Sequence, residues 1–503
     1  MDTELYSIRE KVQNTDIGWT HKVIGTAALV SLIHFTNSFL LSSPPASRLD
    51  AVFMQWVGWY TTVTDAALYR GIFDIQAPLA YLYPKLLYQM SLGNITLHHF
   101  LNVATTLAAS VTTVYLTGRI TYDYTDNSKA AMMASLVMLS LNQFTLFASI
   151  GFARKIFALM FGLLSIKLYE NGHEKLSGIS AVLSPAFWAF GVFFSITVFI
   201  KTLKNRRKRF PGFVLSSGTA IILVLTPLIL EGVLDEMILE AIMVPLTISE
   251  SKTLLQSIGQ AIIKLRYPAA FMITGAIGSV IAAKDRKHWI LAGFLIFSYQ
   301  LFSIDFDSAS DAFMLYGFAS IATGILLNKI PEKPVRLNVN KALKKIQEKT
   351  GKETDLQQLL LLIPAAVIII NVGFGGGTGI IMDESYNVKD VLEDNQEKPL
   401  PLVPYIGQEA AKKLGYEMDT EGAKAQQSQE TKLFKPEDYW NSSKPGTCHY
   451  RWGSSEAAWV EKYNINKTAD RCGKYPEKYY PAIVEKLSQA LQDNPNLPDK
   501  LGK

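Results

Sequence analysis

The amino-acid sequence predicts an all-α polytopic membrane protein with about 11 transmembrane helices, two large extracytoplasmic loops and a small extracytoplasmic C-terminal domain. Three observations predict it. Of 503 residues, 49% are apolar and only 18% are charged, with a mean hydropathy of +0.15. Residues 22–376 hold repeated apolar runs of roughly 17–25 residues, about the length that spans hydrocarbon, whereas residues 382–503 are polar and proline-rich with no such run. Basic clusters fall between runs: Lys201, Lys204 and Arg206–Arg209; Lys284, Arg286 and Lys287; and eight Lys or Arg from Lys329 to Lys352. Cytoplasmic loops carry such an excess. The alternative is a patch for anionic lipid or RNA. The net charge of only +5 is no nucleic-acid signal, so the bilayer is the expected partner.

In chain order, residues 1–21 form a polar cytoplasmic start without an evident cleavable signal. The run Val23–Ser42 then reads as a signal anchor. Span one, 22–42, leads to an outer loop, 43–96, and span two, 97–118, returns to a short inner loop near Lys129. Spans 130–149 and 152–169 form a hairpin whose outer turn is Ser149–Lys155. One helix over 177–202 would strand Arg206–Arg209 outside, so two short helices that dip and return are preferred. Span 213–231 leads to a second outer loop, 232–266. Further spans lie near 267–283, 289–304, 312–328 and 358–376. This divides the chain into a cytoplasmic N-terminus (1–21), a membrane domain (22–376) and an extracytoplasmic domain (377–503), integral to the plasma membrane or its equivalent. The two cysteines, Cys448 and Cys472, fall in the tail, where a disulfide is allowed outside the cytosol; a buried pair of thiols is the alternative. Sequons at Asn94, Asn441 and Asn466 also lie in segments placed outside.

The outer loops carry the ionisable groups. Asp65-Ala-Ala-Leu-Tyr69-Arg70-Gly-Ile-Phe-Asp74 puts Asp65 and Tyr69 one helical turn apart with Arg70 beside them, and polar residues held next to spanning helices are functional candidates. A helix cap is the plainer reading of Asp65. The aromatic stretch Pro78–Lys85 suits a helix lying in the interface. Loop 232–266 carries Asp235, Glu236, Glu240 and Thr247-Ile248-Ser249-Glu250 around Pro245. A carboxylate there that met Asp65 would share a hard divalent cation, Mn²⁺ or Mg²⁺, able to stabilise a leaving phosphate. Alternatively, one carboxylate alone acts as general base on an acceptor hydroxyl.

An Asp in the first outer loop, many spans, a large later outer loop and an outer tail together resemble the C-type integral-membrane glycosyltransferases, which take sugars from polyprenyl-phosphate carriers. Thr247-Ile248-x-Glu250 resembles the Thr-Ile-x-Glu motif of the catalytic subunit of archaeal and bacterial oligosaccharyltransferase. Phe187-Trp188-Ala-Phe-Gly191-Val-Phe193 is similar to its Trp-Gly-Gly-Tyr-x-Phe segment, and Asp65 followed by Arg70 to its first-loop motif. The resemblance implies Asp65 as catalytic or metal-binding carboxylate and Glu250 as second metal ligand or acceptor contact. It implies Arg70, Arg154 and Lys155 as donor-phosphate contacts, a polyprenyl-phosphate-linked sugar as donor, and a protein or glycan as acceptor. Anchoring at the membrane surface is the plainer role for Arg154 and Lys155. Where that family has an acidic motif after the third span, this chain offers Ser-Ile-Gly-Phe-Ala-Arg154-Lys155, with no carboxylate. Its Trp-Trp-Asp-Tyr-Gly motif is absent from the tail, and Asp305, Asp307 and Asp311 stand where an Arg is expected.

Two rivals differ in class. A transporter predicts charges near the midplane of spans, and the spans are nearly free of them. An inactive scaffold subunit is consistent with the missing acidic motif. Gly373–Gly379 follows an apolar run rather than a strand and lacks a P-loop Lys. His98 and His99 are adjacent, so on a helix they point roughly 100° apart, a poor metal pair.

Overall fold

The computed structural model describes residues 2–36, 76–238, 267–304, 309–331 and 356–373, with short stretches inside 46–73 and 241–265 and at 385–387 and 449–450. It is mostly helical, as expected of an all-α membrane protein. The described strands are two short pairs: Ala46–Arg48 with Ser385–Asn387, antiparallel, and Ile72–Phe73 with His449–Tyr450, parallel.

Helix α1, Asp2–Phe35, begins well before the first apolar run and carries its buried Trp19 onto Tyr115 and Tyr122, with ring centroids 6.4 and 5.6 Å away. The short helix α2, Leu79–Met90, keeps Pro84 inside it. The long helix α3, Ile95–Thr125, is capped by Asn94, whose side chain accepts the Leu97 amide at 2.9 Å. The region 130–149 is not one straight span. It divides into α4, Ser128–Ser140, and α5, Asn142–Ser149, bent by 63°. The bend sends Phe144 and Phe147 edge-on against Phe313, at 5.2 and 5.7 Å, a long-range contact that local hydropathy does not encode. Helix α6, Arg154–Glu170, follows a short turn.

The region 177–202 does form two helices, α7, Glu174–Phe187, and α8, Val192–Asn205. Between them Trp188 is extended and Ala189–Gly191 make a 3-10 turn. A Cβ on Gly191 would stand 2.5 Å from the Ser184 carbonyl carbon and 2.7 Å from the Pro185 nitrogen, so the turn closes only around glycine. Helix α9, Phe210–Leu230, is mostly exposed and apolar, with Leu215 73% and Leu223 68% exposed; such a face suits lipid rather than water. Then come the five-residue α10, Leu234–Ile238; α11, Ala269–Lys284; α12, His288–Tyr299; α13, Phe313–Asn328; and α14, Leu356–Gly373.

Among the described residues three helical stretches are long and apolar enough to cross a membrane: Leu97–Thr125, Arg207–Leu230 and Ser310–Asn328. They become four if the bent α4–α5 pair is one span. Several other apolar helices are shorter than the expected spans, among them Ala269–Lys284 and Leu356–Ile370.

Helix α13 is the centre, buried almost throughout. Glycines let neighbours approach it. A Cβ on Gly278 of α11 would lie 2.0 Å from the Ala322 carbonyl oxygen, and one on Gly275 2.6 Å from the Ala319 Cα. Without a hydrophobic drive between helices in lipid, such close backbone packing is what holds a bundle together. Many buried hydroxyls return their hydrogen bonds to their own helices, as Thr106 does to Asn102 and Thr113 to Ala109, which satisfies them away from water.

Candidate functional site

Two groups of polar residues meet at one end of the bundle, bridged by α2. In the first, Glu231 closes α9. Its Oε1 accepts from Lys85 Nζ at 2.9 Å and its Oε2 from the Leu68 amide at 3.3 Å. Leu68, Tyr69, Ile72 and Phe73 are the described part of the stretch Asp65–Asp74. Tyr69 has φ of 61°, a left-handed conformation that a non-glycine residue adopts only when its surroundings require it. Its hydroxyl donates to the Gln76 carbonyl at 2.7 Å, and its ring meets Tyr81 edge-on at 6.0 Å. These contacts supply the requirement.

The second group lies at the first turn of α6. Arg154 and Lys155 are buried, at 9% and 8% exposure. Both cations sit at the positive end of the helix dipole, an arrangement that costs each about 0.3–1 kcal/mol before any compensation. Lys155 Nζ is ion-paired with Asp311 and donates to Ser310 Oγ at 3.2 Å, both from the 3-10 turn Ala309–Ala312 ahead of α13. It also lies 5.2 Å from the centre of the Trp188 ring. Arg154 Nε has no hydrogen-bond partner among the described residues. Beneath, Tyr83 of α2 packs on Phe152 at 5.7 Å and on Phe157 at 5.1 Å, and Phe157 stacks on Phe187 at 4.9 Å. Burial raises the Tyr83 hydroxyl above its ordinary pKa, against a hydrogen bond with Thr105.

The structure brings Arg154, Lys155 and the segment Phe187–Phe193 together. Asp65, Arg70, Glu250, Cys448 and Cys472 lie outside the described residues, so neither their separations nor a disulfide enters the geometry. Sequence reasoning did not single out Glu231, which reads as the last residue of a span. Asp311 it noted only as one of three acids near the tenth span. Only long-range packing distinguishes either. His98 and His99 serve structure: His98 Nε2 is 3.1 Å from the Pro84 carbonyl and His99 Nδ1 2.8 Å from Gln55 Oε1.

Among the described residues no three His, Cys, Asp or Glu side chains cluster. At this end, among the described residues, the Glu231 and Asp311 carboxylates are each engaged by an ammonium.

The opposite end holds a separate network built by the basic clusters. Glu174 is buried under Arg206 and Arg209. Burial pushes its carboxyl up, but the two guanidinium groups outweigh that and hold it below the usual carboxylate range. Nearby, the Tyr124 hydroxyl donates to Glu170 and Lys167 pairs with Asp123.

A family model described as DolP-mannose mannosyltransferase matches residues 66–227. A dolichol phosphate-mannose mannosyltransferase of Haloferax volcanii is 26% identical over 465 residues, covering 90% of this chain and 96% of that protein. Among solved structures, the Archaeoglobus fulgidus oligosaccharyltransferase tethered to an acceptor peptide has a TM-score of 0.40 at 12% identity, covering 93% of this chain and 68% of that one.

Proposed function

We infer that this chain is a membrane glycosyltransferase of the C-type class, moving a mannosyl residue from a polyprenyl-phosphate carrier to an acceptor. The glycosyltransferase reading made from the sequence is borne out by the family match and by a relative that the chain parallels over nearly its whole length. The observation that carries the site assignment is the buried Arg154–Lys155 pair. Two buried cations are held against a helix dipole, at the end of the bundle where Glu231 accepts from the Leu68 amide.

In the reaction the acceptor hydroxyl oxygen bonds to the anomeric carbon while the bond from that carbon to the phosphate oxygen breaks. The hydroxyl proton passes to the Asp65 carboxylate as general base. Polyprenyl phosphate leaves with the bonding pair, its charge met by Arg70, Arg154 and Lys155 through charge-assisted hydrogen bonds. Glu250 contacts the acceptor, a protein or glycan.

The site faces the extracytoplasmic side and the basic network the cytosol, with about 11 spans when the shorter apolar helices are counted and the C-terminal domain outside. Pairing of Ile72–Phe73 with His449–Tyr450 supports a tail lying beside the first loop.

The test is turnover of dolichyl-phosphate-linked mannose by purified chain in lipid nanodiscs, with and without a chelator. Asp65→Ala should lose at least about a hundredfold in kcat at unchanged melting temperature. Wild-type turnover in Asp65→Ala would remove the residue from the chemistry.

A further inference from the structure

We infer that Asp311 is the positioning residue for donor-phosphate binding, holding the Lys155 ammonium at the mouth of α6 so that its remaining N–H meets a phosphate oxygen. The inference rests on the lipid-linked-donor reading and deepens it. The turn before α6 carries no carboxylate of its own, and a buried cation there needs one. Asp311, 2% exposed, arrives from 156 residues away to supply it.

A purely structural tie between α6 and the turn ahead of α13 has no need of charge. Burying two ions costs desolvation that an apolar contact avoids, and Leu159 of α6 already lies within 3.0 Å of where a Cβ on Gly317 of α13 would stand. An ammonium has three donors. Asp311 and Ser310 account for two, and the Trp188 face shields one flank. Among the described residues the third has no partner, and it is left for a ligand. Arg154, one residue earlier, is nine-tenths buried with its Nε unpartnered. Two buried cations with spare donors, at a helix N-terminus whose dipole also favours anions, make a phosphate site. A neutral sugar hydroxyl would not repay their desolvation.

The experiment uses the full chain in nanodiscs labelled with 5-fluorotryptophan, the Trp188 resonance being assigned with Trp188→Phe. Undecaprenyl phosphate in the nanodisc should shift that resonance in the wild type, and the shift should vanish in Lys155→Met. Asp311→Asn should raise the donor KM by roughly 10- to 100-fold, the scale of one charge-assisted hydrogen bond, with a smaller change in kcat. Asp311→Glu should recover most of it. Because Asp311→Asn leaves a buried ammonium unpaired and is at risk of misfolding, Lys155→Met/Asp311→Asn is made as well. It should fold and be no worse than Lys155→Met, since Asp311 acts through Lys155. Near-wild-type KM in the double variant would make the pair a strut and overturn the inference. So would a silent Trp188 resonance in a wild type that turns over donor. An equal shift with the same concentration of inorganic phosphate would overturn the assignment to a lipid-borne group. A shift without any mannosyl turnover would sink the reaction instead and leave the phosphate site standing.

Discussion

The Glu231 carboxylate is shared by the Lys85 ammonium and the Leu68 amide, 146 and 163 residues away in the chain. It is one of the described contacts that tie Leu68 and Tyr69 to the bundle, and it lies just beyond the segment matched by the family model. A neutral amide in its place keeps the shape but weakens both charge-assisted bonds, each worth about 1.5–3 kcal/mol to a charged group. Glu231→Gln is therefore expected to lower kcat roughly tenfold while moving the melting temperature by only a few degrees. Steady-state kinetics beside a thermal melt decide it: a large loss of melting temperature with kcat intact would make Glu231 a structural tie alone.

At the scale of the elements, small residues decide which helices touch. Phe194 packs onto the face of α6 at Gly162, where a Cβ would stand 2.2 Å from its ring, and α11 packs backbone to backbone on α13 through Gly275 and Gly278. Helix α13 must be held tightly because the turn just before it delivers Asp311 and Ser310 to Lys155. Gly278→Ala puts a methyl group against a carbonyl oxygen that cannot move away freely, and overpacking of this kind costs about 1–3 kcal/mol. Gly218→Ala in α9, with nothing within 4 Å, should be neutral or slightly stabilising, since Ala is the better helix former by about 1 kcal/mol. Thermal unfolding in detergent compares the two directly. Equal melting temperatures would mean that α11 and α13 are not so closely packed.

At the scale of the whole molecule, charge separates into two ends. One holds Lys85 with Glu231 and Lys155 with Asp311; the other holds Glu174 with Arg206 and Arg209, Lys167 with Asp123, and Lys329 with Asp285. The second end carries the basic excess that marks a cytoplasmic face. In a background lacking Cys448 and Cys472, Leu92→Cys, at a position 93% exposed in the turn between α2 and α3, should react with an impermeant maleimide added outside intact cells. Lys208→Cys should react only after permeabilisation. The reverse pattern would put the site in the cytosol and overturn the proposed sidedness.

Much of this was legible in the chain because it is locally encoded. Hydropathy places α3, α6, α9, α11, α13 and α14 near the runs 97–118, 152–169, 213–231, 267–283, 312–328 and 358–376. Charge alone divided 177–202 into two helices. The break at Leu141 escaped that reading, since Phe144 and Phe147 turn toward an aromatic partner far along the chain. By itself, the sequence determined a helical membrane protein, its run of apolar segments, its resemblance to lipid-linked-sugar transferases and two cationic candidates for the donor phosphate, Arg154 and Lys155, because hydrocarbon solvates backbone and charge so poorly that composition betrays the environment. Only the tertiary structure decided which acid answers which cation, Asp311 for Lys155 and Glu231 for Lys85. Those pairings depend on how helices cross, and crossing is set by where two small residues happen to face one another.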